Sequence, residues 1–183
     1  IAQYRDRGPA RLQLYPKEQE LLNAVDQGSV PPDGNEYDVV LKTTYTGLHR
    51  IEINDGGDMT RVRWPDDVPF TLVAAGAERT NWCGRMTLSF YVPAGTRVIG
   101  GYAAGNGSFV APDGTRVAVI ENAVGDYFNF SVPEGQDGRV WTLKNAGGRF
   151  DLLTVPPYLA CRAEQLLLPE EVAAQEPRAE NHP

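Results

Sequence analysis

The sequence predicts an all-β fold, two antiparallel sheets packed as a β-sandwich, and three observations carry that expectation. Side chains alternate with period two rather than 3.6 from Tyr37 to Val155, in segments rich in Val, Thr, Phe and Tyr. A proline-x-glycine turn recurs at VPAGT (92–96), APDGT (111–115) and VPEGQ (132–136). Nineteen glycines and fourteen prolines are scattered without a three-residue period, which excludes collagen and supplies many tight turns.

Taken in order, the alternation gives RLQLY (11–15), YDVVLKT (37–43), LHRIEIN (48–54), MTRVRW (59–64), FTLVA (70–74) and MTLSFYV (86–92). It continues through TRVIGGYA (96–103), SFVA (108–111), RVAVIE (116–121), YFNFSV (127–132), RVWTLK (139–144) and RFDLLTV (149–155). Twelve strands are too many for one flat sheet, so two sheets with facing inner sides are expected. Helix is suggested at only two places. PKEQELLNAV (16–25) carries Leu21, Leu22 and Val25 at helical spacing, though a turn of helix in a long loop fits as well. AEQLLLPEEV (163–172) is interrupted by Pro169 and reads as a strap laying its leucines on the sandwich.

In the three repeated turns proline presets φ, and the glycine two residues on accepts a left-handed conformation. Their prolines stand 19 and 21 residues apart, at 93, 112 and 133, which places the turns at one end of the sandwich. GGYAAGNG (100–107), ENAVGD (121–126) and KNAGG (144–148) are then the loops of the other end. PPDGNE (31–36) introduces the strand that starts at Tyr37.

A chain of 183 residues with 42 % hydrophobic content can cover one core, and a single domain is expected over residues 1–168, with an N-terminal arm. Residues 169–183 read as a polar tail or linker. The start at Ile1, without an apolar leader, suggests a processed or excised chain. No apolar run reaches the ~18 residues of a membrane-spanning helix. The net charge of −7 opposes a phosphate-tracking surface, so no nucleic-acid partner is expected.

Cys83 and Cys161 are the only cysteines, too far apart for a CxxC motif, and they are either a disulfide pair or two independent thiols. Asn54, Asp55 and Asp58, in NDGGD, offer hard oxygens for a structural calcium ion; the alternative is a turn closing a hairpin. The sequons at Asn106 and Asn129 carry little information, and Asn129 falls in an apolar alternation where a sugar would collide with packing.

Aromatic rings at loop edges stack on the apolar face of a pyranose while polar neighbours take its hydroxyls. Trp82, flanked by Arg79 and Asn81, leads on this ground, followed by Tyr102 and Tyr45; Trp64 and Trp141 sit in alternating strands and are expected in the core. For catalysis, His49 with Arg50 and Tyr45 could act as base and charge stabiliser, but a histidine on a regular strand is more often a satisfied sheet residue. No nucleophile elbow, zinc helix or phosphate loop occurs, so the chain is not expected to be an enzyme.

The run from Phe90 to Leu168, with its phrasing YVPAGT, APDGT, VPEGQDGRVWTLKN, GGRFDLLTVPPYLA and the start of LLLPEEV, resembles the accessory β-sandwich modules of galactose-binding-like, jelly-roll type found on secreted polysaccharide-degrading enzymes. The resemblance covers less than half of the chain. It implies an extracellular, non-catalytic module that binds a polysaccharide or oligosaccharide, or packs on a catalytic domain of the same chain. Trp82, Tyr102, Arg79 and Asn81 are the expected sugar contacts. An alternative is an extracellular homo-oligomeric subunit whose arm or tail reaches a neighbour; a stand-alone polysaccharide lyase or hydrolase is the third reading.

Overall fold

The computed structural model describes residues 7–17, 23–74 and 82–168, with the side chains of Trp82 and Cys83 left out. The protein is all-β, with antiparallel sheets of three, two and four strands. Its strands are β1 (Ala10–Pro16), β2 (Asp26–Val30), β3 (His49–Asn54), β4 (Leu72–Val73), β5 (Trp82–Val92), β6 (Val98–Val110), β7 (Arg116–Ser131), β8 (Arg139–Leu152) and β9 (Tyr158–Leu159). The chain divides into two compact units, Ile1–Arg63 and Trp64–Pro183.

The first unit holds the sheet β2-β1-β3, in which Leu12 stands opposite Gly28 on one side and Ile53 on the other. Among its described residues the buried apolar side chains include Ala10, Leu14, Pro16 and Val30. The strand expected at 37–43 is absent. That segment runs past β2 instead, with Val39 and Leu41 beside Gly28, and its Lys42 amide donates to the carboxylate of Asp26. A side-chain anchor takes the place of a ladder, so alternation alone does not make a strand here. MTRVRW (59–64) likewise forms no strand.

The second unit holds the order β5-β8-β6-β7 and the small pair β4-β9. Three pairs of expected strands are each one long strand: β6 has 13 residues, β7 has 16 and β8 has 14. The glycine-rich segments at 100–107, 121–126 and 144–148 are therefore not loops but the bent middles of these strands. Bulges interrupt the register there, between Ala103 and Ala104 and between Gly105 and Gly107. Gly105 shows why glycine is needed: its φ is +146°, and a Cβ would be driven into the Gly147 carbonyl. A bulge bends a strand while the pairing on either side continues.

All three proline-x-glycine turns form. Thr96 N–H donates to the Pro93 carbonyl at 3.2 Å, Gly114 to Ala111 at 2.9 Å and Gln136 to Pro133 at 3.1 Å. They gather near the start of β8, since Val92 pairs with Arg139 and Val110 with Thr142. Gly95 N–H also donates to Asp137 at 2.6 Å, joining the first turn to the third.

The core lies in this unit. Leu88, Phe90, Phe109, Trp141, Leu143, Phe150 and Leu152 are buried, with Phe128 and Phe130 packed against them. Trp141 is in the core as expected, its Nε1 donating to the Gln136 carbonyl at 2.7 Å, while Trp64 is half-buried and stacks on Phe70 at 5.2 Å. β9 joins β4 on one side and, through the Ser89–Ala160 bridge, β5 on the other. Among the described residues the outer edge of β7 has no partner strand. Of the expected strap, Ala163–Gln165 is a short 3₁₀ turn and Leu166 to Leu168 are half-buried; Thr71 Oγ1 accepts from the Leu167 amide at 2.8 Å.

Candidate functional site

The alternation of β7 sends Phe128 and Phe130 inward, which turns Tyr127 and Asn129 outward. Tyr127 is 80 % exposed. Register sets it opposite Tyr102 on β6, and Tyr102 is in turn opposite Asp151 on β8. Two positions along β6, past the inward Ala103 row, Val124, Ala104 and Arg149 form the next row on this face, with Val124 92 % exposed. The outer face of the sheet thus carries an aromatic pair beside an ion pair.

The four polar and aromatic members fix one another. Tyr102 meets Tyr127 edge to face, centroids 5.5 Å apart, and Arg149 lies over the Tyr102 ring with Cζ 5.2 Å from its centroid. Arg149 Nη2 bonds Asp151 Oδ2 at 2.5 Å, the two side chains being 23 % and 13 % exposed. The Asp151 hydrogen bond holds the guanidinium still more firmly in its charged form. Gly125, at φ +120°, leaves the space that the Tyr102 hydroxyl occupies. One face of Tyr102 is taken by Arg149 and its flank by Tyr127, so the ring open to a ligand is that of Tyr127.

Of the expected contacts, Tyr102 belongs to this face as a supporting ring. Arg79 and Asn81 lie outside the described residues, as does the Trp82 side chain; the Trp82 backbone opens β5 opposite Gly148, the neighbour of Arg149. Tyr127, Arg149 and Asp151 were not expected from the sequence. The available signal was phase: in YFNFSV the two phenylalanines share one parity, which leaves Tyr127 on the other. The same phase corrects the expectation for Asn129, which is exposed rather than placed among packed side chains.

The oxygens expected to hold calcium close their own turn. Asn54 Oδ1 accepts from Gly56 N–H at 3.0 Å and Asp55 Oδ1 from Gly57 N–H at 3.0 Å, while Asp55 Oδ2 accepts from Thr60 Oγ1 at 3.0 Å. Asp58 Oδ1 accepts from the Met59 amide at 2.7 Å. Asn54 also shares a small cleft with Arg7 and Arg11, whose positive charges oppose a bound cation. Among the described residues no group of three or more His, Cys, Asp or Glu is placed to hold a metal.

Cys161 is an exposed free thiol. It follows Ala160, which bridges Ser89, so its place along β5 is that of Leu88, five residues from Cys83. Of the two alternatives open for the cysteines, the free thiol of Cys161 fits that of independent thiols. His49 is a satisfied sheet residue, its ring nitrogens 3.0 Å from the Gly47 carbonyl and 3.1 Å from Thr43 Oγ1. Arg50 pairs with Glu52 at 2.9 Å and lies over the Tyr15 ring.

Comparison with protein-family models, curated proteins and solved structures finds no match to the chain.

Proposed function

We propose that this chain is a non-catalytic carbohydrate-binding module on a jelly-roll-like, galactose-binding-like β-sandwich, working outside the cell as part of a larger polysaccharide-active protein. The observation that carries this reading is the exposed ring of Tyr127, buttressed edge-on by Tyr102 and set beside the Arg149–Asp151 pair. A ring held rigidly at the surface offers a stacking plane at little entropic cost, and the ion pair supplies donors and acceptors for hydroxyls. The bend that brings Phe109 against Phe128 and Phe130 supports the two-layer sandwich.

Native gels cast with soluble polysaccharides test the proposal. Retarded migration, lost on Tyr127→Ala and weakened on Trp82→Ala, is the expected result. Unretarded migration across a broad panel of neutral and acidic glycans overturns it.

A further inference from the structure

We infer that the Tyr127 face takes a neutral glycan of at least two sugar units and rejects acidic ones; this rests on the carbohydrate reading above. Length comes from the register. Tyr127, Tyr102 and Asp151 form one row across β7, β6 and β8, so two strand spacings, about 10 Å, separate the open ring from the ion pair. A single pyranose stacked on Tyr127 does not span to Asp151, whereas the next unit of a chain lying across the strands does. Tyr102 between them has one face covered by Arg149 and its flank against Tyr127, so it is not an open stacking plane for a second ring.

Charge selection comes from the same residues. The guanidinium of Arg149 is already committed to Asp151 and to the Tyr102 ring, so it brings no uncompensated positive charge to a ligand. Asp126 precedes Tyr127 on β7 and Glu121 lies further back on the same strand, both exposed, and the whole chain carries −7. A uronate carboxylate laid along the row meets Asp151 and the negative field of the protein, while Arg149 beside it is already paired. Neutral hydroxyls meet no such cost: two adjacent ones can donate to the Asp151 carboxylate, and Arg149 N–H groups can donate to hydroxyl oxygens.

The test is calorimetric titration of the full chain with neutral galactan and glucan oligosaccharides, their monosaccharides, and polygalacturonate and alginate. The expected result is binding of neutral oligosaccharides about tenfold or more tighter than of the monosaccharide, with no binding of the acidic polymers at low salt. Asp151→Asn should then raise affinity for the acidic polymers, because Arg149 loses its counter-charge. Equal affinity for monosaccharide and oligosaccharide, tight binding of acidic polymers by the unaltered chain, or no gain on Asp151→Asn overturns the inference while the carbohydrate reading stands. Absence of binding to every glycan, neutral and acidic, overturns both.

Discussion

The rings of Phe109 and Phe130 meet at 4.9 Å, although register puts Phe109 opposite Ala118, twelve residues earlier on the same strand as Phe130. Twelve residues of straight strand would span about 40 Å. The contact therefore requires the β6–β7 ribbon to fold back on itself, and the bends at the glycine-rich middles allow it. Phe109 also touches Phe90, Phe128 and Phe150, which makes it the hub of the core.

Truncating that hub should be costly. Phe109→Ala is expected to lose about 3–5 kcal/mol of unfolding free energy, read by urea denaturation. Phe130→Ala should lose less, since that ring is half-buried. A double-mutant cycle between the two should return a coupling of about 0.5–1.5 kcal/mol. Strict additivity would mean that the ribbon is not folded back as described.

The bend itself is tested by glycine substitution. Gly105→Ala forces a Cβ into the Gly147 carbonyl at a φ of +146°, so a loss of about 3 kcal/mol or more is expected. Gly114, at φ +88° in the 111–115 turn, has open space where its Cβ would be, and Gly114→Ala should lose only about 1 kcal/mol. Melting temperatures of the two variants, compared side by side, decide the point; equal losses would remove the special status of the strand middles.

The strand content of the second unit was legible because inward and outward parity persists through VIGGYA, FNFSV and RVWTL, and proline with glycine marks each turn. Strand continuity was not legible. A glycine-rich segment between two alternating runs looks the same whether it ends a strand or bends it; the difference lies in the cross-strand pairing, such as Gly105 opposite Gly148, which links positions 43 residues apart. β2, DQGSV, was missed because its only apolar residue is Val30, and it is defined by its partner β1. At the candidate site the sequence pointed to Tyr102 through its glycine-rich setting. It did not point to Arg149 and Asp151, whose meaning depends on two strands lying on the same face as that ring.

Among the described residues β7 has an open edge, which invites pairing with a second chain, and three features blunt it. Asn122 at φ +50° and Gly125 at φ +120° sit at bulges, and Asp126 stands opposite the buried Ala103. Bulges and a charge turned toward the core side are recognised edge protections. Replacing Asp126 together with Glu121, the other exposed acid of this part of β7, in Glu121→Thr with Asp126→Val, should raise self-association, measured as apparent mass by light scattering over a concentration series. An unchanged apparent mass would show that the bulges suffice without the charges.

Acid should loosen the first unit at one carboxylate. Asp26 accepts backbone N–H bonds from Lys42, the larger effect, and from Gln27, at 2.8 Å, and these hold its carboxyl below the usual carboxylate value. A lowered folded pKa means that folding favours the ionised form. The stabilisation is therefore complete above the unfolded value of 3.8 and is lost as pH falls through the folded value. Asp33 follows the same sign, held down chiefly by the Tyr37 hydroxyl at 2.6 Å. Tyr37 runs the other way: raised chiefly by Asp33, it contributes below the unfolded value of 10.0 and loses that contribution as pH rises through its folded value. Because Lys42 lies in the 37–43 segment that has no ladder to hold it, protonating Asp26 should release that segment before the sheet unfolds. The protection factor of the Lys42 amide, its exchange rate taken relative to that of an unstructured amide at the same pH, should fall in the unaltered chain as pH drops through the carboxylate range. In Asp26→Asn the same amide should exchange at a rate without that acid step, since no proton can be gained there. An identical pH profile in both proteins would separate the segment's anchoring from the charge on Asp26.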